Sequence, residues 1–366
     1  TRPDGVSRSD VHDVSKTGED TTAKDTHLLR PEDSDGGPLL VFYGGYVVNH
    51  GLADVHVKAG KIVALTAPNT PLPDGATQVD VTGKYLAPAF IDSHVHLAYL
   101  PKAAALADGG VAGAVDHAAP LTFFDAAFTP LQVIGSGPMV TAVAGYPTQS
   151  WGSGGYGLEC KDGAEAVQAV ELLAQAGARL IKLPITGVSK LTEDALTAAV
   201  QMAHAFDLPV SSHALSDGDA AMAAKVGADV LAHTPVKPLS PGTVAAWKGR
   251  AVISSLSAFG ASASALANLK ALRAAGAVVL YGTDFGNSQY AGIDPAELKH
   301  LLEIGMDGQA ILDAGTSVPA AFWGFPELGS ISPGKAASLL ILNADPLTTP
   351  LTLATPHAVY IDGELR

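Results

Sequence analysis

The feature that most constrains the fold of this chain is an alternation of strand-like and helix-like segments over residues 87–324. Four segments carry apolar residues at three- and four-residue spacing and mostly end at Gly or Asp, which predicts helices over residues 163–177, 192–206, 264–275 and 295–304. Strands separated by helices form parallel sheets. About eight such units predict an α/β fold of the (β/α)8 TIM barrel type, with its functional site at the carboxyl ends of the strands.

Short strand-like runs broken by Gly-rich turns lie at both ends of the chain. They cover residues 40–43, 46–48, 54–57, 61–65 and 78–81, and then residues 338–342 and 357–361. Neither set is large enough to be stable alone, so we expect both to combine into one small β-sandwich. The predicted domains are therefore a composite β-sandwich of residues 38–86 and 331–366 and a barrel of residues 87–330.

The composition of the chain limits the classes of partner that it can bind. It has 366 residues, of which 47% are hydrophobic and 16% are charged, enough for one large domain and a smaller one. No apolar run reaches the roughly 18 residues of a membrane-spanning helix, so no membrane span is expected. The net charge of −14 disfavours nucleic acid and anionic membrane surfaces as partners. The single cysteine, Cys160, has no partner for an internal disulfide.

Residues 1–37 differ from the rest. They are rich in Asp, Ser, Thr and Lys and contain nine acidic against five basic residues, which predicts a flexible polar tail. We expect a chain that begins at Thr to have been trimmed, and such tails are common in exported or lipid-anchored proteins after signal removal. The localisation, cytoplasmic or exported, is left open.

Six side chains suited to metal binding lie where predicted strands give way to loops. His94 and His96 close a short apolar stretch, and alternate side chains of a strand point to the same face, so two imidazoles point at one position. Four more candidates follow later apolar runs: Lys182, His213, His233 and Asp284. Ligands bind at this edge of parallel α/β sheets, so the set points to one shared site.

The order of these residues resembles the amidohydrolase superfamily, and within it the prolidase-like and imidazolonepropionase-like branch. That family has His-x-His after the first barrel strand, a lysine after the fourth, histidines after the fifth and sixth, and an aspartate after the eighth. Every position is filled here. The resemblance extends to residues 282–284 and 329–346, and it covers the chain from about residue 39 to the C terminus.

The resemblance implies a hydrolase with two divalent metals. The six ligands would divide into His94, His96 and Asp284 for one metal, His213 and His233 for the other, and Lys182, carboxylated by CO2 to a carbamate, as the bridge. Histidine and carboxylate suit Zn²⁺, with Mn²⁺, Co²⁺ or Fe²⁺ as alternatives. A metal-bridging hydroxide, formed because the metals lower the pKa of bound water to about 7, would cleave the C–N bond of an amide, a peptide-like bond or a cyclic amide.

Asp284 has a second expected role, since a metal-bound carboxylate beside the hydroxide can accept its proton and pass it to the leaving group. We therefore predict Asp284 as the general base and acid, acting on a small-molecule substrate. Five further side chains are candidates for the substrate pocket: Tyr146, Trp151, Tyr156, Lys237 and Tyr290. His117 follows the second strand but matches no ligand position of the family, so it is interpreted as structural.

Alternatives stay open at this stage. A lactonase, esterase or phosphotriesterase would use the same binuclear site. A single-metal deaminase normally lacks the strand-four lysine and has a glutamate shortly after the strand-five histidine, whereas this chain has Lys182 and no such glutamate after His213. A non-catalytic binding relative would have lost ligands, and all six are present. The sequence does not determine the substrate, the metal or whether the chain forms a homo-oligomer.

Overall fold

The structure is a computed structural model that describes residues 38–68 and 70–366, so the predicted polar tail, residues 1–37, lies outside the described residues. Eighteen strands occur in the described part of the chain. They are β1 (Leu39–Val47), β2 (Gly51–Lys58), β3 (Lys61–Thr66), β4 (Thr77–Asp80), β5 (Tyr85–Pro88), β6 (Phe90–Val95), β7 (Val111–Asp116), β8 (Gln132–Gly135), β9 (Met139–Ala142), β10 (Gly157–Cys160), β11 (Ile181–Pro184), β12 (Val210–His213), β13 (Val230–Leu231), β14 (Ala251–Ile253), β15 (Val278–Leu280), β16 (Leu339–Leu342), β17 (Ala358–Ile361) and β18 (Glu364–Leu365).

Nine α-helices accompany these strands within the same described ranges. They are α1 (Ala103–Asp108), α2 (Gly163–Ala176), α3 (Glu193–Ala205), α4 (Asp217–Val226), α5 (Pro241–Ala246), α6 (Ala263–Ala274), α7 (Pro295–Glu303), α8 (Gly308–Gly315) and α9 (Ser317–Trp323). The four helices predicted from apolar spacing are confirmed as α2, α3, α6 and α7, with each end within one residue of the prediction. Over residues 38–68 and 70–366, no helix combines the length and the apolar character that a membrane crossing requires.

Helix α2 shows how local sequence sets these boundaries. The Asp162 side chain accepts a hydrogen bond from Glu165 N at 3.0 Å and so caps the first turn. The Glu165 carboxylate accepts from Lys161 N at 2.9 Å, one residue before the usual partner of a capping box. At the other end Gly177 has a φ of 103°, a left-handed conformation that glycine adopts without steric cost.

The ten strands from β6 to β15 all pair in parallel, and six of the nine connections between them contain an α-helix. They form three sheets: β6 with β7 and β8, β9 with β10, and β11 to β15 in sequence order. Backbone bonds connect β6 to the segment after β15, since Ser93 N donates to Tyr281 O at 2.9 Å and His96 N to Phe285 O at 2.7 Å. The predicted α/β class with parallel strands is confirmed.

Several of these strands carry buried polar residues where a covered parallel strand is normally apolar, and β6 and β12 are two examples. Strand β6 contains Asp92 and His94, and β12 contains Ser211 and His213, yet every residue of both strands is buried. Burying polar groups is unfavourable unless they have partners. The carboxyl ends of β6 and β12 are therefore two places where the chain buries polar groups beside its apolar core.

Strands from both ends of the chain share a separate eight-stranded sheet. Its order is β18-β17-β16-β5-β1-β2-β3, with β4 paired in parallel to β1. The link between the two ends is the antiparallel pairing of β16 with β5, in which Leu340 lies opposite Ala87. Phe42 and Tyr360 make an edge-to-face contact with ring centroids 4.7 Å apart within the apolar core of this sheet.

Candidate metal centre

The six predicted ligands lie at, or just beyond, the carboxyl ends of parallel strands. His94 lies in β6, Lys182 in β11 and His213 at the end of β12, while His96, His233 and Asp284 follow β6, β13 and β15. All six are buried, and none exposes more than 6% of its surface. Burying polar or ionisable side chains without partners is unfavourable. The interactions among these six side chains therefore decide what the site can do.

One set of ligand atoms is formed by His94, His96 and Asp284. The two Nε2 atoms lie 3.2 Å apart, and Asp284 Oδ1 lies 3.1 Å from His96 Nε2 and 3.5 Å from His94 Nε2. Two ligands of a tetrahedral zinc ion, each about 2.05 Å from the metal, are separated by roughly 3.3 Å. These three side chains therefore fit a common metal ion.

The backbone around this set fixes the orientation of the imidazoles. His94 Nδ1 donates to the carbonyl of Ala232 at 2.7 Å, so its Nε2 carries the lone pair that faces the set. Gly286 lets the backbone approach His96 closely. Its φ is 117°, and an added Cβ would lie 2.7 Å from the Cβ of His96.

A second pair of nitrogens is formed by His213 and His233. His213 Nδ1 lies 3.1 Å from His233 Nε2, with the two rings at 82° to each other. The two sets are adjacent, because the His233 ring stacks on that of His94 at 4.4 Å and His233 Nδ1 lies 4.0 Å from Asp284 Oδ2. Two neighbouring metal positions are therefore compatible with the four histidines.

His117 is a buried member of this cluster that the sequence interpretation did not include. Its Nε2 donates to the carbonyl of Ser93 at 2.8 Å, so its Nδ1 is the accepting nitrogen. That atom lies 3.4 Å from Lys182 Nζ and 3.1 Å from Ser211 Oγ, and the ring stacks on His94 at 4.1 Å. The one sequence signal was its place directly after β7, a strand end like those of the ligands.

Asp92 ties the loop that carries Asp284 to strand β6. It accepts hydrogen bonds from Thr283 Oγ1 at 2.5 Å, from Thr283 N at 3.1 Å and from His94 N at 3.0 Å. Asp284 itself has a φ of 53°, a left-handed conformation that is costly for a residue with a side chain. The surrounding bonds therefore hold Asp284 in a strained conformation that directs its carboxylate at His94 and His96.

Burial dominates the electrostatics of the cluster. Burial, together with the positive charge of Lys182, lowers the pKa of His213 to about 3. Burial also lowers the pKa of Lys182 to about 7, although the charges of Asp284 and Asp116 oppose this shift. At neutral pH His213 is therefore an uncharged imidazole with a nitrogen lone pair, and a large fraction of Lys182 is the neutral amine.

The lowered pKa of His213 predicts a pH-dependent stability of the metal-free protein. Between about pH 6.5 and pH 3 the unfolded chain binds a proton at His213 that the folded chain does not, so stability falls as the pH drops through this range. From pH 7.5 to pH 5 the expected loss from this residue is about 2 kcal/mol. The measurement is urea unfolding of chelator-treated wild type and His213→Asn. The free energy of unfolding should change less between pH 7.5 and pH 5 in the variant, by that amount.

The control for this comparison is His357→Asn, which removes an exposed imidazole from the terminal sheet. Burial raises the pKa of Asp92 to about 7 and that of Asp116 to about 6, which acts in the opposite direction, but both groups are present in all three proteins and cancel. An identical pH dependence in wild type and His213→Asn would contradict the prediction.

A cavity of about 490 Å³ opens onto these ligands. All six predicted ligands line it, together with Met139, Tyr146, Ser150, Trp151, Ala258, Phe259 and Asn287. Of the other predicted pocket residues, Tyr156 packs behind Trp151 with ring centroids 5.4 Å apart. Lys237 and Tyr290 are exposed, and neither belongs to the lining formed by the described residues.

The sequence of this chain is similar to that of a known protein family and of one curated protein. A model of the Amidohydrolase family matches residues 158–366, which is more than half of the chain. A dihydropyrimidinase from Arabidopsis thaliana is 47% identical over 62 residues, which are 16% of this chain and 12% of that protein. The chain thus spans only a small part of this curated relative.

Solved structures are similar over most of the chain. A Xaa-Pro dipeptidase with bound methionine has a TM-score of 0.75 at 17% identity, over 90% of this chain and 99% of that one. The ochratoxinase of A. niger has a TM-score of 0.72 at 16% identity, over 90% and 96% of the two chains. Molinate hydrolase has a TM-score of 0.71 at 18% identity, over 90% and 95%. At these identities the likeness shows the fold.

Proposed function

This chain belongs to the amidohydrolase family, and we propose that it is a metal-dependent hydrolase that cleaves a carbon–nitrogen bond in an amide, a peptide-like substrate or a cyclic amide. The observation that carries the proposal is the convergence of two histidine pairs, His94 with His96 and His213 with His233, on one cavity that also contains Lys182. Structural metal sites are closed by protein ligands, whereas these ligands face an open cavity, which supports a catalytic use.

Two divalent ions suit this donor set. His94, His96 and Asp284 would hold one ion, and His213 and His233 the other. Zinc suits imidazole and carboxylate donors, as do Mn²⁺, Co²⁺ and Fe²⁺. When bound, the ions would lower the pKa of a shared water to about 7 and polarise the scissile carbonyl.

Lys182 is proposed as the bridge between the two ions, in the form of a carbamate made with CO2. Only a neutral amine reacts with CO2, and burial lowers the pKa of Lys182 to about 7, which supplies that form at neutral pH. A carbamate keeps one N–H, and the accepting Nδ1 of His117, 3.4 Å from Lys182 Nζ, is placed to receive it. His117 would thus orient Lys182 by accepting a hydrogen bond from it.

Asp284 is proposed to move the proton. Its Oδ1 accepts a hydrogen bond from Asn287 Nδ2 at 3.0 Å, which fixes the carboxylate on the cavity side. From there it can accept a proton from the attacking water and hand it to the departing amine. The same carboxylate would then serve as base in the first half of the reaction and as acid in the second.

The architecture around the site is proposed to be a closed (β/α)8 barrel over residues 87–330. The backbone bonds from β6 to the segment after β15 support closure of the parallel strands. The terminal sheet is proposed as part of a composite β-sandwich of residues 38–86 and 331–366. A barrel would bring the strand ends with their ligands to one face.

The test of the proposed function is reconstitution. Metal-depleted protein should be inactive, and addition of Zn²⁺, Mn²⁺ or Co²⁺ with bicarbonate should restore hydrolysis of members of a panel of anilides, dipeptides and cyclic amides. The panel should also contain lactones, esters and phosphotriesters. Restored activity confined to these oxygen esters would move the assignment to the corresponding esterase class, and the absence of any metal-dependent hydrolysis would overturn it.

A further inference from the structure

Three of the seven described residues that line the cavity beyond the predicted ligands are aromatic. Three aromatic side chains, Tyr146, Trp151 and Phe259, each pack directly on a different ligand histidine. The ring centroid distances are 4.7 Å for Tyr146 on His213, 5.2 Å for Trp151 on His96 and 4.8 Å for Phe259 on His233. We call these three residues the aromatic wall. A substrate whose scissile bond reaches the ligands must place its neighbouring groups against this wall.

The polar groups of the wall and rim already have partners within the protein. Trp151 Nε1 donates to the hydroxyl of Tyr146 at 2.9 Å, and Ser150 Oγ donates to the carbonyl of Pro147 at 3.0 Å. Asn287 Nδ2 is bonded to Asp284. The hydrogen bonds of the described lining leave two neutral donors unused, the O–H of Tyr146 and the second N–H of Asn287 Nδ2. Neutral donors of this kind suit a carbonyl or ether oxygen of a substrate.

The lining offers no cation for a substrate carboxylate. Among the described residues that line the cavity, Lys182 is the sole Lys or Arg, and it lies among the ligand histidines. Lys237, one of the predicted pocket residues, is exposed and outside the lining. An anionic group held against the aromatic wall would lose its hydration and find no counter-charge among the side chains there, since the proposed metal ions would be engaged by the scissile carbonyl. The net charge of −14 adds a general repulsion of anions.

From these observations, and resting on the proposed function, we infer that the natural substrate is an uncharged amide with an aromatic or bulky apolar group beside the scissile bond. A free carboxylate on that group is discriminated against. The substrate class is thus set by the aromatic wall: stacking and burial supply the binding energy, and the missing counter-charge supplies the selectivity.

Binding to the metal-free protein tests this inference without relying on catalysis. The probes are 4-methylbenzamide and 4-carbamoylbenzoate, which differ in one methyl-for-carboxylate exchange. Quenching of Trp151 fluorescence reports occupancy, because Trp247 and Trp323 are buried and do not belong to the described lining. Trp151→Phe identifies the Trp151 signal. We expect the methyl compound to bind about tenfold more tightly or better. Equal affinity, or tighter binding of the carboxylate, would overturn the inference.

Hydrolysis by the metal-loaded protein provides the second readout. The substrates are 4′-methylacetanilide and 4-acetamidobenzoate, which share the acetyl group and the scissile bond. We expect kcat/KM to favour the uncharged anilide by about tenfold or more. Ser150→Arg, which places a cation in the lining, should reduce this ratio, while Ser153→Arg, on the exposed part of the same loop, should leave it unchanged.

The two readouts separate the inference from the proposed function. If no substrate of any class is hydrolysed, the proposed function fails, and the benzamide affinities still decide whether the cavity selects uncharged aromatic amides. If both anilides are hydrolysed equally well and Ser150→Arg has no effect on their ratio, the proposed function stands and the inference fails.

Discussion

Replacing Asp284 with Asn should lower kcat by about 10²–10⁴-fold, because the amide cannot accept the proton that the carboxylate is proposed to carry. Asn is nearly the same shape, so the fold should be preserved. The histidines remain, and bound metal should be retained in large part. The measurement is kcat on the best substrate of the panel beside the metal content of the same preparation.

Asp307→Asn is the matched control for this experiment. Asp307 is exposed and caps α8 by accepting from Ala310 N at 2.8 Å, a role that Asn performs about as well. Its kcat should equal that of wild type. An unchanged kcat in Asp284→Asn, with metal present, would contradict the proton-transfer role of Asp284.

Replacing Lys182 with Ala should reduce both bound metal and activity, the latter on the order of 100-fold or more, because the proposed bridge between the two ions is lost. A short carboxylate such as acetate or formate can occupy the space of the missing carbamate and should restore part of the activity. The measurements are elemental analysis and kcat with and without added acetate.

Lys190→Ala controls for loss of a lysine charge, since Lys190 is exposed and its Nζ lies 3.4 Å from Asp219 Oδ1. It should retain metal and activity, with no response to acetate. Full metal occupancy and full activity in Lys182→Ala would contradict the bridging role of Lys182.

The sequence was most informative where one local pattern determines structure. Apolar spacing with flanking caps predicted helices α2, α3, α6 and α7 within a residue, because capping and amphipathic burial act over short stretches of chain. The rule that parallel strands bring their carboxyl ends together related His94 to Asp284, which are 190 residues apart in sequence. The prediction of membership in the amidohydrolase superfamily is confirmed by the family match over residues 158–366.

The sequence was least informative about contacts that depend on how the strands are packed. His117 was interpreted as structural because it matches no ligand position of the family, yet its Nδ1 lies 3.4 Å from Lys182 Nζ, a distance that follows from the packing of β7 against its neighbours. Asp92 was not singled out in the sequence, although it accepts hydrogen bonds from both Thr283 and His94. The direction in which a loop leaves its strand could not be derived from the sequence either. Lys237 and Tyr290 remain predicted pocket residues, and both lie outside the cavity lining formed by the described residues.

The most direct measurement is the metal content of the purified wild-type chain, prepared with bicarbonate and without chelators and determined by elemental analysis. A binuclear centre built from His94, His96, His213, His233, Asp284 and carboxylated Lys182 predicts about two divalent ions per chain. A preparation that binds no divalent metal, even after incubation with Zn²⁺, Mn²⁺ or Co²⁺, would contradict it.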